Sequence, residues 1–219
     1  MLGDLKNGKC SFSLANSLLY DIFYPMDNLA RKLISVPEYL EIERTSEEKH
    51  EYYKGELFAM AGGKRVHAVI AGNILTKINN QIENKPCIAF GSDMKVQVKS
   101  DGLFTYPDIS ALCGEEKYLD AKEDTLLNPS LIIEVLSEST ENYDRGKKFI
   151  LYRELESLQE YILVSSEYKK IEIYRRTANN QWLLSDVKED EQVVFETIQC
   201  SVSHKEIYNK VKFIDSASL

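Results

Sequence analysis

The sequence predicts an α/β domain, a mixed β-sheet flanked by helices. Residues 66–83 carry apolar side chains at helical spacing, and several short runs rich in β-branched and aromatic residues alternate with turn signals. The two kinds of segment follow one another as helix, hairpin, helix, strands, helix, strands, the order of a sheet with helices packed on it. A chain of 219 residues suits one such domain, because a single core keeps growing to roughly 250–300 residues before it splits.

Each element has a local cause. Ser35 and Glu38 fit a capping box, and Pro37 is tolerated in a first turn, so a short helix opens there. Residues 50–60 read as two β runs turning at Lys54 and Gly55, a hairpin by its turn chemistry. Ala61, Gly62 and Gly63 then break the chain. Val66, Val69, Ile70, Ile74, Ile78 and Ile82 form one apolar stripe on an amphipathic helix that Pro86 ends. Residues 87–98 and 104–112 read as strands, and 131–136 is a nearly continuous apolar run of buried-strand type. A further helix spans 142–156, weakened at Gly146 by about 1 kcal/mol relative to Ala. Residues 160–165, 170–176 and 182–186 are the remaining β runs. The domain is expected over residues 34–215. Residues 1–33 lack this patterning and read as an N-terminal extension or as a start placed upstream of Met26; a helix packed on the domain is the other reading.

With 43% hydrophobic and 28% charged residues, the composition excludes a fibrous or disordered chain. No apolar run approaches the roughly 20 residues that cross a bilayer. The apolar stretch 14–24 is interrupted by Asp21 and lacks a small-residue cleavage site, so a membrane or secretory role is not expected. Cys10, Cys87, Cys113 and Cys200 are widely spaced with no CxxC pair; reduced thiols in a cytoplasm are the expectation. The net charge of −8 repels a phosphate backbone at long range, so nucleic-acid binding would need a local basic patch.

Glu134 is the anomalous residue, a carboxylate inside Leu-Ile-Ile-Glu-Val-Leu. Burying it unpaired costs several kcal/mol, against a whole-domain stability of about 5–15 kcal/mol. It must be neutralised, ion-paired or bound to a cation. Asp108 follows Tyr106 and Pro107, and a proline that cannot donate to a ladder marks a strand start, an edge or a bulge. If the two strands are neighbours, the carboxylates lie side by side and one pKa rises unless a cation sits between them. Such hard oxygen ligands suit Mg²⁺. Asp144, Lys148 and Tyr152 share a helix face by i, i+4, i+8 spacing. That helix starts soon after the Glu134 strand, so its first turns should stand near the strand's C-terminal end. Spacing alone favours an exposed Asp144–Lys148 pair worth a few tenths of a kcal/mol, and packing for Tyr152. Asp93 fits a turn. No Ser or Cys sits in a nucleophile-elbow context.

The blocks HEYYKGELFAMAGG with His67 following, FGSDMKV, YPDIS, LIIEVLSEST, and YDRGKKFILYREL with LQEYILVS behind it resemble, in content and order, the PD-(D/E)XK nuclease superfamily, and within it the restriction-endonuclease family of Uma type. The resemblance covers about residues 36–211. It implies a restriction-endonuclease-like fold, a divalent metal (Mg²⁺, with Mn²⁺ as substitute) and DNA as the substrate of phosphodiester hydrolysis. Asp108 matches the first aspartate of the motif and Glu134 its acidic residue. The lysine two positions later is replaced by Leu136, so the resemblance puts that role on Lys148. Glu51 matches an acidic position that completes the site, as a direct or water-mediated ligand. His67 matches a recurrent histidine that either serves the site or packs at a helix start, and Tyr152 is secondary. Lys64, Arg65, Lys95, Lys99, Arg145, Lys147 and Arg153 are the candidate DNA contacts, or solvated faces. A homodimer follows only by analogy with nucleases that cut two strands. The competing readings are a non-catalytic module that keeps the fold to bind DNA or protein, and a metal hydrolase of other phosphoesters.

Overall fold

The structure, a computed structural model, describes residues 33–60, 62–99 and 102–213. The expected N-terminal extension lies, except for Leu33, outside the described residues. Helix α1 (Val36–Thr45) opens on the predicted capping box, with Ser35 Oγ accepting from the Glu38 amide and Glu38 returning a bond to the Ser35 amide. It lays Tyr39 on Tyr52, ring centroids 4.9 Å apart. Strands β1 (His50–Tyr53) and β2 (Glu56–Ala59) pair as the predicted hairpin. Its two turn residues, Lys54 and Gly55, both take positive φ, at 48° and 94°, as the turn that matches strand twist requires.

Helix α2 (Arg65–Ile82) buries Ile70, Ile74, Ile78 and Ile82, each worth about 1.5–3 kcal/mol of burial. They pack on Ile109, Ala111, Leu131, Ile133, Val135, Ile162 and Val164 of a central sheet. That sheet holds six strands in the order β11-β10-β9-β8-β6-β3: β3 (Cys87–Gly91), β6 (Ile109–Cys113), β8 (Leu131–Leu136), β9 (Glu160–Ser165), β10 (Ile171–Arg176) and β11 (Trp182–Val187). β8 and β9 run parallel; the other neighbours are antiparallel. The opposite face carries Ile132, Leu136, Leu112, Tyr161 and Leu163 against Tyr152, Leu155 and Leu158.

The two long strands expected over 87–98 and 104–112 are each divided. The chain turns at Gly91–Met94 and enters β4 (Lys95–Val98), then returns through β5 (Leu103–Thr105). Both belong to a second sheet, ordered β2-β1-β5-β4-β7, with β7 at Thr125–Leu126. Tyr106, Pro107 and Asp108 separate β5 from β6, as Pro107 cannot donate to a ladder. The pair of strands is thus one bent hairpin shared between two sheets. A C-terminal pair, β12 (Gln192–Phe195) and β13 (Cys200–Ser203), with α5 (His204–Ile207), closes the α2 face and was not foreseen.

The helix expected over 142–156 is shorter and not uniform. It runs as α3 (Glu141–Tyr143), a π-helical turn at Asp144–Lys148 and α4 (Phe149–Tyr152). Gly146, with its low helix propensity, sits inside the π turn. Four reduced thiols are also not what the structure contains: Cys87 and Cys113 face each other across β3 and β6 and are joined as a disulfide. Opposition on neighbouring strands, which spacing along the chain does not reveal, brings them together. Cys200 is free and buried, and Cys10 lies outside the described residues. Among the described residues no helix is long and apolar enough to cross a membrane.

Candidate active site

The site lies where β8 ends and β6 begins. Ile109 stands opposite Ile133 in the antiparallel register, so one step further along each strand brings Asp108 beside Glu134. Asp108 turns back on the neighbouring strand, its Oδ2 accepting the Val135 amide at 2.7 Å, while Glu134 Oε2 accepts the Asp108 amide at 3.3 Å. Glu134 points to the face opposite α2, the face of Ile132 and Leu136, because side chains alternate along a strand. β6 and β8 are neighbours, the condition on which the sequence set the two acids side by side.

Lys148 meets Glu134 from the π turn. Its Nζ lies 2.9 Å from Glu134 Oε1, 3.1 Å from Glu51 Oε1 and 3.5 Å from Asp144 Oδ1. All four side chains are close to fully buried, so the exposed Asp144–Lys148 pair suggested by spacing alone is instead an interior cluster. Tyr152 does more than pack: its hydroxyl donates to Glu134 Oε1 at 2.9 Å. Glu51 comes from β1, and both its oxygens are engaged. Oε1 accepts from Thr105 and Lys148, and Oε2 from the Tyr143 hydroxyl at 3.3 Å. His67, near the start of α2, reaches Asp108, with Nε2 3.0 Å from Oδ2. The contacts form a line: Glu51, Lys148, Glu134, Asp108, His67. Asp144, Thr105 and Tyr143 join it without having been assigned to the site. Asp144 was legible as a helix-face neighbour of Lys148; nothing local marks the other two.

Electrostatics follow from burial. Desolvation pushes the Glu134 carboxyl well above its ordinary range, aided by Asp144 and Asp108 and opposed by Lys148. Burial also pulls on Lys148 in the neutral direction, but Glu134, Tyr152, Glu51 and Asp144 outweigh it and keep the ammonium charged. The hydrogen bond that His67 donates to Asp108 raises its pKa above 6.5 against its own burial. Burial likewise raises Asp144.

The donor chemistry fits a hard divalent cation. Four carboxylates, Glu51, Asp108, Glu134 and Asp144, share the cluster with Lys148 and His67 as their only cationic partners among the described residues. Asp108 Oδ1 accepts no bond among the described residues, and Glu134 Oε2 accepts only the long one from the Asp108 amide. No three His, Cys, Asp or Glu side chains among the described residues are grouped as a ligand cage. The offer is thus two carboxylates, the number with which Mg²⁺ usually binds while keeping several waters.

Of the basic residues considered for substrate contact, three are engaged within the chain. Lys95 is buried with its ammonium 5.5 Å from the Tyr39 ring, Lys99 pairs with Glu154 at 2.7 Å, and Arg145 is bonded to Glu141 and Glu172. Arg153 stacks on Phe149. Lys147 is exposed and lies over the Tyr53 ring at 4.5 Å, with Lys54 also near that ring. Lys64 and Arg65, just before His67, are exposed and carry no carboxylate partner among the described residues. Asp93 is in the turn between β3 and β4 and pairs with Lys49.

A mixed sheet with paired acids at its strand ends and helices on its face is a restriction-endonuclease-like fold, and the comparisons agree. A crystal structure described as a putative nuclease of the DUF820 family from Anabaena variabilis matches with a TM-score of 0.67 at 19% identity, over 80% of this chain and 97% of its own; this likeness is one of fold. The chain belongs to the Uma2 family, described as "putative restriction endonuclease", whose profile matches residues 36–203. Two Synechocystis proteins are similar along most of their length. The uncharacterized protein slr1290 is 36% identical over 181 residues, 82% of this chain and 94% of its own. The uncharacterized protein sll1609 is 33% identical over 156 residues, 71% and 88% respectively.

Proposed function

We propose that this protein is a divalent-metal-dependent DNA endonuclease that hydrolyses phosphodiester bonds at the Asp108–Glu134–Lys148 site. The observation that carries the reading is the adjacency of Asp108 and Glu134 on neighbouring strands, with the buried Lys148 ammonium 2.9 Å from Glu134. Family membership supports a nuclease-like activity.

Asp108 and Glu134 would hold Mg²⁺, or Mn²⁺ in its place, through the oxygens left open to it; when bound, the ion supplies Lewis-acid polarisation of the phosphate and activation of water. Lys148 presents a fixed positive charge next to Glu134, where it orients the attacking water and steadies charge developing on the phosphate. Glu51, with both oxygens committed, anchors Lys148 rather than binding the ion directly. Tyr152 fixes the rotamer of Glu134 by its hydroxyl bond. His67 and the Val135 amide share Asp108 Oδ2, which leaves Oδ1 without a hydrogen bond among the described residues.

The test is incubation of plasmid and oligonucleotide DNA with the protein in Mg²⁺ or Mn²⁺. Wild type should cleave, and Asp108→Ala and Lys148→Ala should lose about 10²–10³-fold, the scale of removing one preorganised charge-stabilising group. Equal cleavage by all three identifies a contaminant and removes the proposal. A protein that binds DNA intact and gives no heat with Mg²⁺ would be a non-catalytic module.

A further inference from the structure

We propose that Asp144 is a positioning residue for this reaction, holding the Lys148 ammonium in its orientation from within the same π-helical turn. The inference rests on the nuclease reading of the site. Asp144 and Lys148 are the first and last residues of the five-residue π turn, and they are its only buried members. A π turn is rare in proteins and clusters at functional sites. Here it directs both ends inward and leaves Lys147 exposed between them.

An ammonium has three N–H donors and no acceptor. Glu134, Glu51 and Asp144 pair with Nζ at 2.9, 3.1 and 3.5 Å, three carboxyl groups about one ammonium. Glu51 and Glu134 already place two carboxyl groups against one lysine. A third buried carboxylate is therefore not explained by ion pairing for stability, since each buried charge carries its own desolvation cost. Direction is what it adds: three contacts from β1, β8 and the π turn define where the ammonium points. Asp144 is itself held through its backbone, its amide donating to the Thr140 carbonyl at 2.9 Å and its carbonyl accepting the Tyr161 hydroxyl at 3.1 Å. Were Glu134 to hold a cation, Asp144 and Glu51 would remain as partners of the lysine.

The experiment uses the full chain and two readouts. Steady-state cleavage of an oligonucleotide duplex in Mg²⁺ gives kcat and KM for wild type, Asp144→Ala and Asp144→Asn. Trace acetylation with acetic anhydride, without metal or DNA, gives the reactivity of Lys148 by peptide mass spectrometry. Asp144→Ala should lower kcat by up to about 100-fold, the cost of a misplacement near 1 Å, with KM little changed, and Lys148 should acetylate faster than in wild type. Asp144→Asn, which keeps an acceptor in place, should recover part of kcat and part of the protection. Should Asp144→Ala not fold, Asp144→Glu, which displaces the carboxylate by one methylene, should show the same two losses. Wild-type kcat in the folded variant, or unchanged acetylation of Lys148, overturns the proposal. If the wild type itself does not cleave DNA, the nuclease reading falls, and the acetylation order alone decides whether Asp144 positions Lys148.

Discussion

Lys148 Nζ sits 2.9 Å from Glu134 Oε1 with both side chains about 95% buried, linking the helical segment after β8 back to β8 itself. Neither charge can be solvated if the other is removed. This pair therefore couples the stability of the domain to the integrity of its site.

Removal of one partner should be costly. Lys148→Ala leaves three buried carboxylates without their ammonium and should destabilise the fold by about 3–5 kcal/mol, as for other broken buried pairs. The double variant Glu134→Gln, Lys148→Met should regain much of that loss, since fewer charges remain to be compensated. Urea unfolding measures both. A Lys148→Ala protein within about 1 kcal/mol of wild type, the worth of an exposed pair, would contradict the buried cluster.

Stability should fall as pH rises in metal-free protein. Glu134 has a folded pKa above the ordinary 4.5 because it is buried, so between the two values the folded state holds the extra proton, and raising pH removes that advantage. His67 acts in the same direction: its pKa is raised above 6.5 by Asp108, so its contribution is complete below 6.5 and lost as pH passes the folded value. Thermal melts from about pH 5 to pH 8 should show Tm decreasing, less steeply in Glu134→Gln, and Mg²⁺ should offset the decrease at the alkaline end. A flat wild-type profile would show that Glu134 is ionised throughout.

Tyr152→Phe should uncouple packing from hydrogen bonding. The ring stays, but Glu134 Oε1 loses its 2.9 Å donor, and a buried acceptor left short costs about 1–3 kcal/mol. Calorimetric unfolding should show that loss, together with weaker cleavage. No change in either would return Tyr152 to a packing role.

DNA affinity should depend only moderately on salt. Lys64 and Arg65 lie beside His67 at one end of the line of site residues, and Lys54 and Lys147 gather around Tyr53 near Glu51 at the other. If these four alone neutralise phosphates, the slope of log K against log salt is no steeper than about −4, at ~0.9 per phosphate. Replacing Lys64 and Arg65 together with Ala should reduce it by about 2. A double variant with the wild-type slope would place the DNA elsewhere.

Much of the fold could be read from local chemistry. The Ser35–Glu38 box, the Lys54–Gly55 turn, the isoleucine stripe of α2 and the apolar β8 each depend on residues a few positions apart, and each is present. The breaks at Gly91–Met94 and at Pro107 had visible signals, but local patterning does not say which of two sheets a strand joins.

The sequence alone determined many of the elements and the candidacy of Glu134, since a carboxylate in the middle of a buried strand is anomalous wherever the strand lies. Tertiary structure alone decided that Asp144 and Lys148 turn inward, that His67 reaches Asp108, that Glu51 binds the lysine, and that Cys87 and Cys113 meet. Strand pairing and helix docking bring together residues from distant segments, and burial follows from that assembly. Charge, hydrogen bonding and pKa at the site depend on burial, so they take their values only once the sheets have closed around Glu134.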